Sequence, residues 1–248
     1  MQPAHYKRER EFWDSMGADA YVSLSPADQR RILGWIAPGS EVQRCLDLGG
    51  GSGMTAKLLV GAGVPFLVCV DISAPMLRHS GVPSVQGDAL RLPFADGSFD
   101  LVVAAAFLHH VPDLEHSVLR ECARVLRPDG RIVGYDPSAR CWQNRIFMGD
   151  GPMRLRTFSP DERPIDPRSL VTKLGDAGFR DASVTLFSFR NARITLFEGI
   201  QRWVLDPISV GPLRNWLQRW FFWSATRAMV SAGSAVGSGF QDKALPRW

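Results

Sequence analysis

The sequence predicts an α/β domain built on a doubly wound, mostly parallel sheet. From residue 42 onward, short and nearly continuous apolar segments alternate with segments of helical periodicity. Strands of this kind are typical of a parallel sheet that is covered by helices on both faces. Such sheets bind ligands at the carboxyl ends of their strands, so we expect the functional site there. The predicted strands are Arg44 to Leu48, Phe66 to Val70, Ser84 to Gln86, Phe99 to Ala104 and Arg131 to Tyr135.

A helix is predicted to begin directly after Ser25. Ser25 can cap it, Pro26 suits the first helical position, and Asp28 completes a capping box. Apolar residues follow at helical spacing at Ile32, Leu33 and Ile36. We therefore expect residues 1–40 to form a helical cover that precedes a core over residues 41–137.

Residues 138–200 are predicted to form a lid that selects the substrate and to complete the sheet. Their first part, as far as residue 167, has no clear periodicity. A helix is predicted from about Pro167 to Ala177, ended by Gly178, and a strand from Ser183 to Phe189. Lid arginines such as Arg145, Arg154 and Arg156 either bind an acidic acceptor group or are solvated.

Residues 201–248 form a basic segment rich in tryptophan. They hold six Lys/Arg and two Asp, which accounts for the formal net charge of +4 of the whole chain. Residues 212–230 are predicted to be helical, with one face formed by Leu213, Trp216, Leu217, Trp220 and Ser224. Two interpretations stay open: this segment packs on the lid or on a second subunit, or residues 203–227 contact a membrane peripherally. Residues 193–205 fit a strand or a helix.

Length and cysteine content limit the class of protein. The 248 residues are enough for one domain with a sizeable core. The four cysteines form no CxxC pair and lack metal-ligand spacing with histidine, so the sequence predicts no metal site and a reducing compartment. The start of the chain is too charged for a signal peptide, and no segment approaches about 18 uninterrupted apolar residues. We expect a cytoplasmic protein, with peripheral membrane contact as the alternative.

A glycine-rich turn follows the first predicted strand in the sequence Asp47-Leu48-Gly49-Gly50-Gly51-Ser52-Gly53. Glycine permits positive φ and lets a ligand approach the backbone. Asp71 ends the second strand, where a carboxylate can bind ribose hydroxyls. An NAD-dependent oxidoreductase would explain Gly49, Gly51 and Asp71, but Met54 stands where the third glycine of G-x-G-x-x-G is needed. These residues favour a nucleotide-type cofactor and disfavour the dehydrogenase.

Four ordered motifs between Arg44 and Tyr135 resemble the class I, seven-stranded S-adenosylmethionine-dependent methyltransferases, in particular the ubiquinone-type and small-molecule subgroup. They are the glycine loop with its preceding acid, the acid Asp71, the segment Gly87-Asp88-Ala89 with Leu92-Pro93-Phe94, and the stretch from Phe99 through His110 to Gly130. The resemblance implies S-adenosylmethionine as cofactor and S-adenosylhomocysteine as product.

The resemblance also implies roles for individual residues. Asp47, Gly49, Gly51 and Gly53 would surround the methionine moiety, and Asp71 would bind the ribose. The other implied cofactor contacts are Ile72 beside the adenine, Asp88 at its exocyclic amine with Ala89 next to it, Ala105 at the end of the fourth strand, and Tyr21 at the methionine carboxylate. Tyr6, Phe12 and Trp13 belong either to a cover over the cofactor or to the core.

The implied reaction is an in-line methyl transfer to a small-molecule or lipid-like acceptor, which depends chiefly on holding donor and acceptor in attack geometry. A hydroxyl acceptor would also need a base, and His109 and His110 are the candidates, with Asp136 positioned to orient one of them. The alternative is that these histidines only hold their loop together. Two further alternatives are a nucleic-acid methyltransferase and a non-catalytic S-adenosylmethionine-binding protein; nucleic acid is disfavoured because no RNA-binding module accompanies the basic segment. The acceptor and the oligomeric state stay open.

Overall fold

The computed structural model describes residues 4–16, 24–37, 39, 41–155, 158–159, 161–189 and 219–229. Within them lies one sheet of seven strands in the order β3-β2-β1-β4-β5-β7-β6. The strands are β1 (Arg44–Leu48), β2 (Phe66–Asp71), β3 (Ser84–Gln86), β4 (Phe99–Ala105), β5 (Leu126–Pro137), β6 (Phe179–Phe187) and β7 (Trp220–Arg227). The chain runs outward from β1 to β3 and then resumes on the other side of β1 at β4, so the strand order reverses between β1 and β4.

Strands β1 to β5 are parallel, and β7 is antiparallel to both of its neighbours. This confirms the predicted doubly wound, mostly parallel sheet. The five strands predicted from apolar runs agree closely with β1 to β5. The fifth is longer than predicted because Leu126 also pairs with Phe99, before an irregularity in the register. The division of the chain into four regions stays a prediction.

Helices flank the sheet. They are α1 (Ala4–Ser15), α2 (Pro26–Ile36), α3 (Met54–Gly61), α4 (Ala74–Leu77), α5 (Glu115–Val125), α6 (Trp142–Phe147) and α7 (Pro167–Asp176), with a short 3-10 turn at Leu108–His110. Helix α2 begins where predicted, and the backbone N–H of Asp28 donates to Ser25 Oγ at 3.1 Å. Helix α7 confirms the helix predicted before Gly178.

The prediction of a helix across residues 212–230 is wrong for the part that the structure describes. Trp220 to Arg227 form a strand between β5 and β6, and both neighbours pair along its length. Aromatic residues have high strand propensity, and pairing on both sides outweighs their helical spacing. Trp220 and Ser224 therefore do not lie on a helix face. The predictions for Tyr21, for residues 193–205 and for Leu213, Trp216 and Leu217 lie outside the described residues.

The sheet separates two apolar clusters. Leu46, Val102 and Trp223 belong to one cluster, whereas Cys45, Leu101 and Phe222 belong to the other. Phe221 and Trp223 are fully buried, so these two rings do not face a membrane. All four cysteines are free and buried. Among the described helices, none combines the length and the apolar character that crossing a bilayer requires.

Candidate functional site

A cavity of roughly 680 Å³, including its mouth, opens at the carboxyl ends of β1, β2 and β4. This is the expected position, since the strand order reverses there. One wall consists of residues at the ends of β1 and β2, including Leu48, Gly49, Gly51 and Asp71. Helix α1 and the segment after β4 form the opposite wall.

The glycine turn lies against the cavity in a conformation that glycine favours. Gly49 has φ +66° and Gly51 has φ +52°. A Cβ built on Gly49 would come within 2.1 Å of the Phe107 ring. Since both glycines line the cavity, a ligand can approach their main chain directly.

The Asp71 carboxylate holds this turn in place. One oxygen accepts from the Gly51 N–H at 3.0 Å, and the other accepts from the Ser73 N–H at 2.8 Å. Burial raises the pKa of Asp71, against the opposing effect of these two hydrogen bonds. Asp71 thus joins the glycine turn to the beginning of α4 and also lines the cavity.

Asp47 lies beneath the turn and is fully buried. Burial raises the pKa of this carboxyl to about 7. A Cβ on Gly50 would lie 2.6 Å from Asp47 Oδ2 and 2.4 Å from the Cys69 sulfur. Gly53 is equally constrained, since its φ is +77° and a Cβ there would lie 2.3 Å from the Ser80 carbonyl oxygen. Both Asp47 and Gly53 support the turn from outside the cavity.

Helix α1 covers the cavity with Tyr6, Glu9 and Trp13. These residues lie three and four positions apart, so they share one face of the helix. Burial and the adjacent Asp88 carboxylate raise the pKa of Tyr6. The Trp13 ring meets the His110 ring edge to face, with centroids 5.2 Å apart.

His109 and Asp136 form a buried pair behind the cavity wall. Asp136 Oδ1 lies 2.8 Å from His109 Nδ1 and accepts from the His109 backbone N–H at 3.2 Å. Its other oxygen accepts from Trp223 Nε1 at 2.8 Å. Burial lowers the pKa of His109 to about 3 and raises that of Asp136 to about 7. His109 is therefore a neutral ring that anchors its loop.

His110 differs from its neighbour because it lines the cavity. Its Nδ1 lies 3.3 Å from Glu9 Oε2 and 3.5 Å from Glu162 Oε2. Burial by itself would lower the pKa of His110, but the two carboxylates outweigh burial and the pKa is raised overall. His110 can therefore carry or accept a proton at the cavity surface.

Residues 46–134 match the family model described as a methyltransferase domain. The demethylmenaquinone methyltransferase of Mycolicibacterium vanbaalenii is 40% identical over 126 residues, which cover 49% of this chain and 47% of that protein. The chain thus spans about half the length of this curated relative. The sheet order and the ordered motifs of the cavity agree with this match. The chain has the fold of the class I, seven-stranded methyltransferases.

Solved structures of this methyltransferase fold resemble the chain over most of its length. The phosphoethanolamine N-methyltransferase 2 of Haemonchus contortus, in complex with S-adenosylmethionine, gives a TM-score of 0.64 at 19% identity, covering 89% of this chain and 60% of that one. The geranyl diphosphate C-methyltransferase of Streptomyces coelicolor, solved with S-adenosylhomocysteine, gives 0.62 at 13% identity, covering 92% and 99%. At these identities the likeness establishes the fold alone.

Several residues predicted to bind a cofactor line the cavity, whereas others do not. The lining residues are Gly49, Gly51, Asp71, Ile72 and Ala89. Asp47, Gly53, Asp88 and Ala105 do not line it. Ala105 is the last residue of β4 and packs against the second apolar cluster, so the next residue, Ala106, reaches the cavity instead. The Asp88 carboxylate accepts from the Leu90 N–H at 2.9 Å.

The structure groups three possible metal-binding side chains, which the sequence did not predict. Ligand atoms of His109, His110 and Glu162 lie within 4.8 Å of one another. Glu162 is far from the histidines in sequence, so spacing could not reveal this group. The contacts of the histidines with Asp136 and Glu9 account for the arrangement without an ion.

Sequence reasoning missed Glu9, Glu162 and Trp223 as partners of the predicted histidines and Asp136. A signal existed for Glu9, because it shares a helix face with Tyr6 and Trp13, which the sequence offered either as cover or as core residues. No local pattern marked Glu162. Trp223 was assigned to a helix, and only its place in β7 brings its indole N–H to Asp136.

Proposed function

We propose that this chain transfers a methyl group from S-adenosylmethionine to a small, lipid-like acceptor. The main observation behind the proposal is that the glycine turn and the Asp71 carboxylate line the same cavity at the ends of β1 and β2. The Gly51 N–H donates a hydrogen bond to Asp71, which holds the two together. The family match over residues 46–134 supports it.

The cavity fits the cofactor on its own chemistry. The main chain at Gly49 and Gly51 lines the cavity, and neither residue carries a side chain. The Asp71 carboxylate can accept hydrogen bonds from ribose hydroxyls, and Ile72 and Ala89 offer apolar contact to the adenine. When bound, the cofactor supplies a methyl group on a sulfonium. The contribution of the protein is to hold donor and acceptor in line and to exclude water.

The opposite wall suits an acceptor with an apolar body. Aromatic rings of Tyr6, Trp13 and Phe107 line it together with Val111. The curated relative is by its name a demethylmenaquinone methyltransferase, and this supports a quinone-type acceptor. Because the match covers half of that relative, the acceptor is part of the proposal.

For an acceptor that reacts through a hydroxyl, His110 takes the role of the base. It lines the cavity, whereas His109 is buried behind it and is engaged by Asp136. His109 and Asp136 thus hold the loop that presents His110. Of the three residues predicted to be catalytic, we infer that His110 contacts the acceptor and that His109 and Asp136 act through it.

Calorimetric titration of the purified protein tests the cofactor. We expect micromolar binding of S-adenosylmethionine and S-adenosylhomocysteine and no binding of NADH. Binding of NADH alone would establish the oxidoreductase alternative.

A methyl-transfer assay with the reduced, hydroxyl-bearing form of a demethylated quinone tests the acceptor, with RNA and DNA as competing substrates. We expect transfer to the quinone only. Salt-sensitive methylation of nucleic acid would overturn the proposed acceptor. Cofactor binding without transfer to any acceptor class would favour the non-catalytic alternative.

A further inference from the structure

We propose that Glu9 of α1 and Glu162 of the lid segment, residues 158–159 and 161–163, are positioning residues that hold the His110 imidazole as proton acceptor. His110 then has both of its carboxylate partners only when α1, the cover helix, and the lid segment lie over the cavity. This inference rests on the proposed function and adds two residues to it.

Three separate parts of the chain meet at this point. Glu9 and Glu162 are only 5% and 3% exposed, although each is a carboxylate. Glu9 accepts from Trp13 Nε1 at 3.2 Å and from the Ser159 hydroxyl. Glu162 accepts from the Ser159 backbone N–H at 3.1 Å. The two acids are thus joined through Ser159, and both face His110 Nδ1.

Further contacts fix the cover helix and the lid segment to each other and to the histidine loop. The Arg8 guanidinium donates two hydrogen bonds of 2.8 Å to the Asp161 carboxylate. The Arg163 backbone N–H donates to the His109 carbonyl oxygen at 2.9 Å. The geometry at His110 therefore depends on the closure of both segments.

The charges around His110 explain why two acids are needed. Burial alone disfavours the imidazolium, and a buried charge is stabilised only by close partners. Glu9 and Glu162 supply this compensation. The pKa of Glu9 is lowered, because its hydrogen bonds outweigh the raising effect of burial. The other titratable groups that act on this site are His109, which is neutral, and the carboxyls of Asp136 and Asp71.

The position of the carboxylates also selects the nitrogen that reacts. Both acids lie on the Nδ1 side of the ring, so the proton of the neutral imidazole is held on Nδ1. The lone pair then lies on Nε2. In the step that follows, the acceptor O–H bond breaks and its proton moves to Nε2, while the oxygen forms a bond to the methyl carbon. The carbon–sulfur bond breaks, its electron pair stays on sulfur, and the imidazolium later releases the proton to water.

The test is an NMR titration of the His110 ring nitrogens in the protein with S-adenosylhomocysteine bound, with assignment through His110→Asn. We expect the midpoint to move to lower pH in Glu9→Gln and in Glu162→Gln, because each variant removes a carboxylate that stabilises the imidazolium. Glu11→Gln is the matched control, since Glu11 lies on the same helix with an exposed side chain. Asp161→Asn removes the contact with Arg8 but keeps both acids.

Kinetics with the same reduced quinone, which carries hydroxyl groups, give a second readout. We expect kcat to fall about 10-fold in each Gln variant, with the acid limb of its pH profile shifted to lower pH and KM for the cofactor unchanged. An unchanged His110 titration in both variants, with cofactor binding intact, overturns this inference alone. A wild-type protein that fails to bind S-adenosylmethionine overturns the proposed function instead. If one of the two Gln variants does not fold, the His110 titration of the other variant is the test.

Discussion

The two walls of the cavity are built in different ways. The wall at the ends of β1 and β2 comes from a continuous turn, residues 47–53, and one carboxylate, Asp71, that contacts the same turn. The opposite wall brings together Glu9, His110 and Glu162 from distant parts of the chain. The first wall is therefore a local strand, turn and helix unit, whereas the second exists only after the cover helix and lid segment have packed. Changes in the first should alter cofactor affinity, and changes in the second should alter stability and proton transfer.

The largest effect is expected from Asp71→Ala. The variant removes the acceptor for the ribose hydroxyls and the partner of the Gly51 N–H. A hydrogen bond to a charged group contributes about 1.5–3 kcal/mol, so the affinity for S-adenosylhomocysteine should fall about 10- to 100-fold. Calorimetry measures it. Asp96→Ala, at an exposed carboxylate, is the control, and an unchanged Kd in Asp71→Ala would refute the ribose assignment.

Trp223→Phe should lower stability while leaving cofactor affinity within about 2-fold of the wild type. The variant removes the indole N–H that donates to buried Asp136 and leaves unfilled space beside Gly134. A buried acceptor that loses its hydrogen-bond donor costs about 1–3 kcal/mol, which corresponds to a decrease in Tm of several degrees. Thermal melting followed by circular dichroism measures it. Trp35→Phe removes a partly buried indole elsewhere and should cost less; equal losses would show that the contact with Asp136 contributes nothing.

Asp47→Asn replaces the carboxyl group beneath the glycine turn with an uncharged amide of similar shape. The pKa of Asp47 in the folded protein is about 7 against an ordinary value of 3.8. The folded state thus binds this proton more tightly than the unfolded chain, and the free energy of unfolding falls as pH rises from about 4 to 7. The amide of the variant does not titrate. The difference in Tm, variant minus wild type, should therefore increase between pH 5 and pH 8. Differential scanning calorimetry at a series of pH values measures it. A constant difference would mean that Asp47 stays ionised at no cost.

The sequence was sufficient for the local parts of this molecule. The strands β1, β2 and β4 are largely apolar runs. Ser25 marks the start of α2 by its side-chain cap, and Gly178 follows α7 with a φ of +92° that glycine favours. The glycine turn could be assigned because its function depends on residues that are neighbours in the chain. Asp136 as a partner of a histidine could also be predicted, since β5 is adjacent to β4 in a sheet of this kind.

The remaining parts could not be predicted because their determinants are distant in sequence. Strand β7 has helical spacing of its aromatic residues, and only pairing with β5 and β6 decides its conformation. Glu162 lies in a segment without periodicity, and nothing local indicates that it contacts His110. Ala106 lines the cavity in place of the predicted Ala105, because β4 ends at Ala105. The end of a strand is the least certain feature of a sequence pattern.

The smallest effect is expected from Arg8→Gln, which tests how the second wall is held closed. The contact with Asp161 is bidentate, but the Arg8 side chain is about half exposed. Water and salt screen such pairs, so Tm should stay within about 2 °C of the wild type. Proton transfer should respond more than stability, because the contact positions the lid segment that carries Glu162. We therefore expect a lower kcat with a hydroxyl acceptor and unchanged binding of S-adenosylhomocysteine. A kcat equal to that of the wild type would show that burial of Glu9 and Glu162 keeps the wall closed without the surface contact.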